Sequence, residues 1–273
     1  MIFELDKSKC VKCGACVRDC FFGALKTDEE GYPEMKSVEK CMRCQHCFAV
    51  CPKAAITFDG KDPSRSLDLA GLELPKSEEV ENWMRVRRST RRYQERDVER
   101  EKLERILHAL ANTPTGCNAR GLTFTCYSSM ASMKSFREKF IKAIEEHREG
   151  TKLLPRWLAV PAIRMRKGGP DMFFRGAPGL LIVSSDETNA AVTTPHEDVA
   201  AACANFELLA QASGLATCWC GFLKLVQQEV PELLEKTSGI RRTTPFYAMM
   251  FGYPAVAYHR GVQRDDYAKI EFR

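Results

Sequence analysis

The sequence predicts an α+β protein of two domains, and three observations lead to this prediction. Eight of the thirteen cysteines fall within the first sixty of the 273 residues. The chain from Gly60 to Lys76 is rich in Asp, Ser, Pro and Gly and shows little hydrophobic periodicity. Helix-like and strand-like patterns are mixed beyond it. We therefore predict a cysteine-rich domain at residues 1–60, a linker at residues 61–76 and a larger α+β domain at residues 77–273.

The eight early cysteines form two quartets with the same spacing, C-x2-C-x2-C-x3-C. The second quartet is displaced by 31 residues, as from Cys10 to Cys41. The match extends past the thiols, since Ala24-Leu25 aligns with Ala55-Ile56. Duplication of one cluster-binding unit explains this repeat. The quartets are Cys10, Cys13, Cys16, Cys20 and Cys41, Cys44, Cys47, Cys51.

This spacing suits two 4Fe-4S clusters. Three thiolates from one tight loop reach three corners of a cubane, and the fourth cysteine serves the other cluster. We assign one cluster to Cys10, Cys13, Cys16 and Cys51, and the other to Cys41, Cys44, Cys47 and Cys20. The pattern resembles the bacterial two-cluster ferredoxin fold. Because about sixty residues bury little apolar surface, we expect the clusters to supply the domain's core and stability.

Zinc and free thiols remain as alternatives for these cysteines. Structural zinc usually takes two separated C-x-x-C pairs, which disfavours zinc here. One departure from the repeat concerns the second cluster: Cys51 is followed by Pro52, whereas Cys20 is followed by Phe21. Full occupancy of the Cys20 cluster therefore stays an open question.

The larger domain is predicted as helices mixed with strands. Leu103, Ile106, Leu107 and Leu110 share one side of a helical stretch, whereas residues 176–185 (GAPGLLIVSS) fit a buried strand after a Pro-Gly turn. Pro195 opens a helix whose inner residues are almost all small or apolar, so we expect it to be central and buried. The predicted helices are Glu78 to Arg88, Glu99 to Ala111, Ala131 to His147 and Pro195 to Ala212, and the predicted strands are Leu122 to Tyr127, 176–185 and Phe246 to Phe251.

Composition excludes several classes of protein. Hydrophobic residues make up 44% and charged residues 28% of the chain, as in ordinary globular proteins. The longest aliphatic run, near residues 180–183, is far too short to cross a membrane, so we expect no membrane partner. The start MIFELDKSKC is charged where a secretory signal is apolar, which predicts a protein without a signal peptide in the reducing cytoplasm.

Two polar segments of the larger domain are candidate binding sites. Arg87, Arg88, Ser89 and Arg91 place three guanidinium groups and a hydroxyl at a helix end, which suits a phosphate-bearing ligand. Taken alone, the stretch is also compatible with a solvated basic face. The turn around Asn118 carries an amide that can donate and accept, which could recognise the edge of a heterocycle. The net charge of +5 and the stretch RVRRSTRR, without interleaved aromatics, do not predict a nucleic-acid partner.

In this order and spacing, the segments resemble the FMN-dependent nitroreductase family over roughly residues 80–264. The resemblance rests on RRSTR, PTGCNAR, GLATCWCGF, FRGAP and FGYPA. Arg120 stands where the family usually has Gln, and Gly121 where it has Pro. The resemblance implies an α/β/α domain with a mostly antiparallel mixed sheet, bound FMN and a homodimer with residues of both chains around each flavin.

Carried over residue by residue, the resemblance implies a set of FMN contacts. Arg87 and Ser89 would hold the phosphate, with Arg88 near the ribityl chain. Arg91 would face the N1/O2 edge, where its charge stabilises the anionic reduced flavin. Asn118 would fix the pyrimidine side, and the backbone of Cys220 and Gly221 would address N5. Arg260 or Arg264 would add a contact to the phosphate, and we choose Arg260.

The resemblance implies a flavin-dependent oxidoreductase that passes electrons from the clusters to FMN and on to an electron-poor small molecule such as a nitroaromatic or a quinone. The donor would be a reduced ferredoxin-like protein or NAD(P)H, and the fused cluster domain favours the first. The alternative is an electron-transfer or redox-sensing module that serves a protein partner without turning over a small molecule.

Two further features of the larger domain bear on this function. Cys218 and Cys220 flank Trp219 near the expected flavin, and we interpret them as structural, with redox activity as the alternative. The stretch Thr151 to Met172 is basic and broken by proline and glycine, so we expect a cap over the substrate.

Overall fold

The structure is a computed structural model that describes residues 2–149, 154–186, 188–264 and 269–273. The chain forms two compact units, Met1–Pro75 and Lys76–Arg273, and the border falls within the segment predicted as a linker. In the described ranges, no helix is long and apolar enough to cross a membrane.

The first unit has short elements around the cysteine loops. Strands β1 and β4 pair antiparallel, as do β2 and β3. Its core is small and consists of Phe3, Cys16, Leu25, Phe48, Ile56 and Phe58. The elements are β1 (Phe3–Leu5), α1 (Ala15–Arg18), β2 (Leu25–Thr27), β3 (Pro33–Met35), α2 (His46–Ala49) and β4 (Ile56–Phe58).

The second unit is a sheet between helices. The helices are α3 (Ser77–Val86), α4 (Arg100–Ala109), α5 (Met130–Glu149), α6 (Arg156–Arg166), α7 (Pro195–Ala212), α8 (Gly221–Glu229) and α9 (Pro231–Ser238). The strands are β5 (Leu122–Tyr127), β6 (Gly179–Ser185), β7 (Ala216–Trp219) and β8 (Phe246–Gly252). The strand order is β5-β6-β8-β7, and every pairing in it is antiparallel. A parallel bridge joins Ser89 to Thr217 of β7.

Each face of the sheet carries a hydrophobic core. Side chains of α5, α6, α8 and α9 pack on one face, and those of α4 and α7 pack on the other. Because β6 is covered on both faces, it is a continuous apolar run rather than an alternating one. The predicted α+β class and the α/β/α layering are therefore confirmed.

The structure contains the elements that the sequence patterns predicted and further elements that they did not. Strand β5 has the predicted bounds, and α7 begins at Pro195 and ends at Ala212 as predicted, because proline suits the first helical position. Strand β7 and helices α6, α8 and α9 were not predicted. The stretch expected to be a cap is largely α6, whose Leu158 and Ala162 are buried in the first core. Residues 151–153 of that stretch lie outside the described residues.

Candidate functional site

The structure gathers the eight early cysteines into two sets of four. One cavity is lined by Cys20, Cys41, Cys44 and Cys47. A second cavity is lined by Cys10, Cys13, Cys16 and Cys51. Each set joins three cysteines of one loop to the last cysteine of the other quartet. Within the described ranges, no three His, Cys, Asp or Glu side chains could hold a single metal ion.

The last cysteine of each quartet accepts a backbone hydrogen bond. The Ala24 N–H donates to Cys20 Sγ over 3.2 Å, and the Ala55 N–H donates to Cys51 Sγ over 3.3 Å. These alanines occupy equivalent positions in the sequence repeat, so the repeat extends to the donors around the sulfurs. Such donors stabilise negative charge on cluster sulfur and tune the reduction potential. The two sets therefore fit a pair of 4Fe-4S clusters.

Phe21 lines the cavity that contains Cys20 and distinguishes it from the cavity that contains Cys10. Its side chain is 91% exposed and packs edge-on against Phe22, with ring centroids 5.1 Å apart. Both rings line the Cys20 cavity, whereas Pro52 lines the other one. The departure from the repeat thus places two aromatic rings beside one cluster position.

The basic segment after α3 runs along the free edge of β7. The Thr90 N–H donates to the Thr217 carbonyl over 2.9 Å, next to the parallel bridge from Ser89. Arg87 Nη1 donates to Ser89 Oγ over 3.5 Å, and Arg91 Nη1 donates to the Ser89 carbonyl over 3.3 Å. Backbone pairing therefore gathers two guanidinium groups and a hydroxyl at one place.

Glu207 of α7 is a buried carboxylate at the centre of this site. Its Oε1 accepts from the Thr217 hydroxyl over 2.9 Å and lies 3.4 Å from Arg87 Nη1. Its Oε2 accepts from the Trp219 indole over 3.2 Å. Sequence analysis did not single out Glu207, although an acidic residue within the apolar part of a helix is a usable signal.

A cavity beside the arginines tests whether the residues fit FMN. It measures about 180 Å³ and is lined by Arg87, Arg88, Thr217 and Tyr258, among others. Gln211 also lines it, and its Oε1 is buried without a hydrogen-bond partner in the described chain. Guanidinium groups suit a phosphate, and the orphaned oxygen suits a hydroxyl donor such as a ribityl group. The donor set therefore fits this cofactor.

The start of α8 corrects one expected contact. The Cys220 N–H donates to the Ala248 carbonyl over 2.8 Å, so it is engaged in the sheet rather than free for a flavin. The Gly221 N–H, at the first position of α8, donates to no other described residue. A Cβ on Gly221 would lie 3.3 Å from Tyr247 Oη. The absence of a side chain at Gly221 therefore leaves room for a ligand to approach its amide. Of Cys220 and Gly221, only Gly221 therefore has a backbone N–H that is available to a flavin.

The Asn118 loop lies apart from the arginines. The Gly116 N–H donates to the buried Asp198 over 2.9 Å, near the start of α7. Arg87 contacts Glu207, nine residues further along α7, which corresponds to about 13 Å of helix axis. The structure thus does not bring Asn118 into the Arg87 group. Backbone strain marks this loop, because Cys117, Asn118 and Arg120 all have positive φ.

The C-terminal arginines are both exposed. Arg260 follows Tyr258 by two residues, and Tyr258 lines the cavity beside Arg87 and Arg88. Arg264 lies four residues further along, in a segment without regular secondary structure. The choice of Arg260 over Arg264 stays a prediction.

The remaining cysteines differ in exposure. Cys117 is exposed, whereas Cys203, Cys218 and Cys220 are buried. Burial raises the pKa of Cys203 and of Cys220 to about 12, and that of the half-buried Cys126 to about 11. These protonated thiols behave as small apolar side chains.

Comparison with known proteins identifies both units. The model of the nitroreductase family matches residues 84–253, and that of a 4Fe-4S dicluster domain matches residues 2–52. A crystal structure of a nitroreductase with bound FMN from Bacteroides fragilis superposes with a TM-score of 0.54 at 22% identity, covering 71% of this chain and 99% of that one. This likeness shows the shared fold.

The cysteine-rich unit also has curated relatives. It is 35% identical over 63 residues to an uncharacterized ferredoxin of Methanocaldococcus jannaschii, covering 22% of this chain and 82% of the relative. It is 41% identical over 61 residues to an archaeal-type glutamate synthase (NADPH) of Thermotoga maritima. That match covers 22% of this chain but only 12% of the synthase, so it concerns the cluster unit alone.

Proposed function

The chain belongs to the nitroreductase family and carries a 4Fe-4S dicluster domain, and we propose that it is a flavin-dependent oxidoreductase that reduces an electron-poor small molecule. Nitroaromatics and quinones are the substrate classes that we propose. The observation that carries the proposal is the cavity beside Arg87 and Arg88, with the orphaned Gln211 oxygen, in a chain that also has cluster ligands. One chain would thereby combine a flavin site with clusters that carry electrons.

The chain's own side chains would hold each cofactor. When bound, the clusters exchange single electrons and FMN exchanges one or two, which is the chemistry that the reduction needs. Each cluster would be held by one of the two sets of four cysteines. Arg87 and Ser89 would bind the FMN phosphate, and Arg88 the ribityl chain. Arg260 would add a charge to the phosphate from the C-terminal segment.

The protein would orient the flavin ring with a few groups. Arg91 would lie at the N1/O2 edge, where a fixed positive charge favours the anionic reduced form. The amide of Gly221 would donate to N5, since it has no other described acceptor. Asn118 would fix the pyrimidine side. None of these groups has to transfer a proton, so water can supply the protons of the reduction.

The proposed donor is a reduced ferredoxin-like protein. A hydride donor such as NAD(P)H can reduce a flavin directly, so it would not require the dicluster unit. NAD(P)H remains the competing donor, and direct comparison of the two rates of flavin reduction decides between them.

We propose a homodimer with each flavin between the chains. Arg87 and the Asn118 loop are anchored nine residues apart on α7, so a second copy could supply one of these groups to a shared site. Sedimentation of the FMN-loaded protein tests this arrangement. A monomer that retains stoichiometric FMN would contradict it.

Analysis of protein purified without oxygen tests the function. We expect about eight irons, about eight sulfides and one FMN per chain. Rapid mixing should then show the flavin absorbance bleaching after the clusters have been reduced. Oxidised flavin beside fully reduced clusters would refute electron delivery. If no nitroaromatic or quinone reoxidises the flavin faster than buffer oxidants do, a redox module that serves a protein partner is the better interpretation.

A further inference from the structure

Tyr247 is partly exposed, whereas the other six residues of β8 are buried. Its ring packs against Trp219 of the neighbouring strand β7, with centroids 5.1 Å apart and an angle of 68° between the ring planes. The ring also contacts the core on the face of the sheet that α4 and α7 cover. Packing explains why an aromatic residue occupies this position, but the ring of a phenylalanine would pack in the same way.

The hydroxyl of Tyr247 is not explained by packing. Within the described part of the chain it makes no hydrogen bond. Two polar side chains of β7 are engaged elsewhere, since Thr217 and Trp219 both donate to Glu207. Burial raises the pKa of Tyr247, so the hydroxyl keeps its proton at neutral pH and can donate it to a hydrogen bond. An acceptor for this donor must therefore come from outside the chain, as solvent or as a ligand.

This hydroxyl lies beside the amide at the start of α8. Tyr247 Oη is 3.3 Å from the position of a Cβ on Gly221, the residue whose N–H donates to no other described residue. The hydrogen bond from the Cys220 N–H to the Ala248 carbonyl holds this end of α8 against β8. The first turn of a helix also carries a partial positive charge. Two neighbouring donors therefore suit a ligand with two adjacent acceptor atoms.

We propose that the Tyr247 hydroxyl donates a hydrogen bond to the N5/C4-carbonyl edge of FMN, next to the amide of Gly221. The inference rests on the proposed function, which puts N5 at Gly221. N5 and the C4 carbonyl oxygen are adjacent acceptors on that edge, so they match the two donors. Negative charge builds up on the ring during reduction, and a donor that is already in place stabilises the reduced form more than the oxidised form. Tyr247 therefore binds the ring and raises its reduction potential.

Tyr247→Phe removes only the hydroxyl and keeps the ring that packs on Trp219. Because the hydroxyl has no partner in the described chain, the Tm should change by less than about 2 °C. Tyr127→Phe is the matched control. Tyr127 is also partly buried and makes no hydrogen bond within the described residues, but it lies on β5, the edge strand farthest from β7. The full chain is used without oxygen and with its clusters in place.

Two flavins separate the ring from the phosphate: FMN, and riboflavin, which has the same ring without the phosphate. Fluorescence quenching gives the dissociation constants of the oxidised flavins, and titration against reference dyes gives the midpoint potential of bound FMN. Tyr247→Phe should weaken the binding of both flavins by about three- to tenfold, as expected for a lost hydrogen bond. Reduced FMN should lose about tenfold more affinity than oxidised FMN, which makes the midpoint potential about 30 mV more negative.

A loss of affinity for FMN but not for riboflavin would place Tyr247 near the phosphate and overturn the assignment. Unchanged flavin affinity, an unchanged midpoint potential, or the same changes in Tyr127→Phe would each overturn it as well. A wild-type protein that binds flavin but reduces no nitroaromatic or quinone would count against the proposed function alone, because none of these measurements requires turnover. A wild-type protein that binds neither flavin would overturn both.

Discussion

Arg87 Nη1 lies 3.4 Å from Oε1 of Glu207, a carboxylate that is only 8% exposed. The same carboxylate accepts hydrogen bonds from Thr217 and from Trp219 on β7. One side chain of α7 thus joins the proposed phosphate-binding arginine to the strand that leads to Gly221. Glu207 therefore links the two segments that carry the proposed phosphate and N5 contacts.

Loss of Glu207 should destabilise the second unit. Glu207→Ala leaves Arg87 without its anion, and leaves the buried Thr217 hydroxyl and the part-buried Trp219 indole without an acceptor. This loss should cost about 3 kcal/mol and lower the Tm by about 6–12 °C. Glu197→Ala, at an exposed position in the first turn of α7, is the matched control and should cost less than about 1 kcal/mol. Circular dichroism on cluster-loaded protein gives the Tm. Equal shifts for both variants would show that the Glu207 network adds nothing.

Phosphate recognition by Arg87 can be measured without turnover. Arg87→Lys keeps a cation beside Glu207 but loses the planar fork, so FMN affinity should fall by about tenfold. Riboflavin lacks the phosphate, and its affinity should change by less than about twofold. Flavin fluorescence quenching provides both dissociation constants, and Arg85→Lys on exposed α3 is the control. A parallel loss for riboflavin would place Arg87 away from the phosphate.

The sequence predicted those parts of the protein whose signals are local. The bounds of β5 follow from a short alternation of apolar and polar residues, and α7 follows from Pro195 and a long apolar stretch. The two cysteine quartets have the same spacing along the chain, and this spacing alone predicts both the quartets and the 4Fe-4S clusters expected there. All of these signals lie within about twenty residues or repeat with a fixed offset.

Features that depend on contacts between distant segments could not be predicted in this way. Arg87 and Glu207 are 120 positions apart, and no local pattern announces their pairing. Whether the Cys220 amide is free depends on its pairing with Ala248 across the sheet. Strand β7 has four residues, too few for a periodic signal. Tertiary contacts, rather than propensity, determine these parts of the site.

The exchange of cysteines between the two sets can be tested with a matched pair of variants. Cys20→Ser and Cys51→Ser each remove the last cysteine of one quartet. We expect each to lower the iron content from about eight to about four per chain. Double variants reveal which cluster is lost: adding Cys44→Ser to Cys20→Ser should cost no further iron, whereas adding Cys13→Ser should remove the rest. The reverse result would mean that each quartet binds its own cluster.

Alanine substitutions at Gly179 and Gly176 compare two costs to stability: the steric clash of an added Cβ and the backbone strain of a positive φ. A Cβ on Gly179 would stand 2.3 Å from the ring of Phe251, which is fully buried, so Gly179→Ala should cost about 3 kcal/mol or more. Gly176 has φ of 67° with nothing within 4 Å, so Gly176→Ala should cost about 1 kcal/mol of backbone strain. Thermal unfolding compares the two. Similar costs would mean that β6 and β8 are not packed in this register.

Thiol reactivity should follow burial. At pH 8, iodoacetamide should alkylate the exposed Cys117 in the folded protein and spare Cys203 and Cys220, whose pKa of about 12 leaves roughly one thiolate in ten thousand. Peptide mass spectrometry before and after unfolding in urea measures this difference. Alkylation of folded Cys220 as fast as that of Cys117 would contradict the burial and revive a redox role for Cys218 and Cys220.

The same buried thiols predict how stability depends on pH. An unfolded cysteine has a pKa of about 8.5, whereas burial holds Cys203 and Cys220 near 12. Above pH 8.5 the unfolded chain therefore releases protons that the folded chain retains, and stability falls as the pH rises towards 12. Urea unfolding of the cluster-loaded protein between pH 8 and pH 10 measures the slope. Cys203→Ala should flatten it, because the substitution removes one of the titrating groups, and an unchanged slope would mean that Cys203 does not titrate differently in the two states.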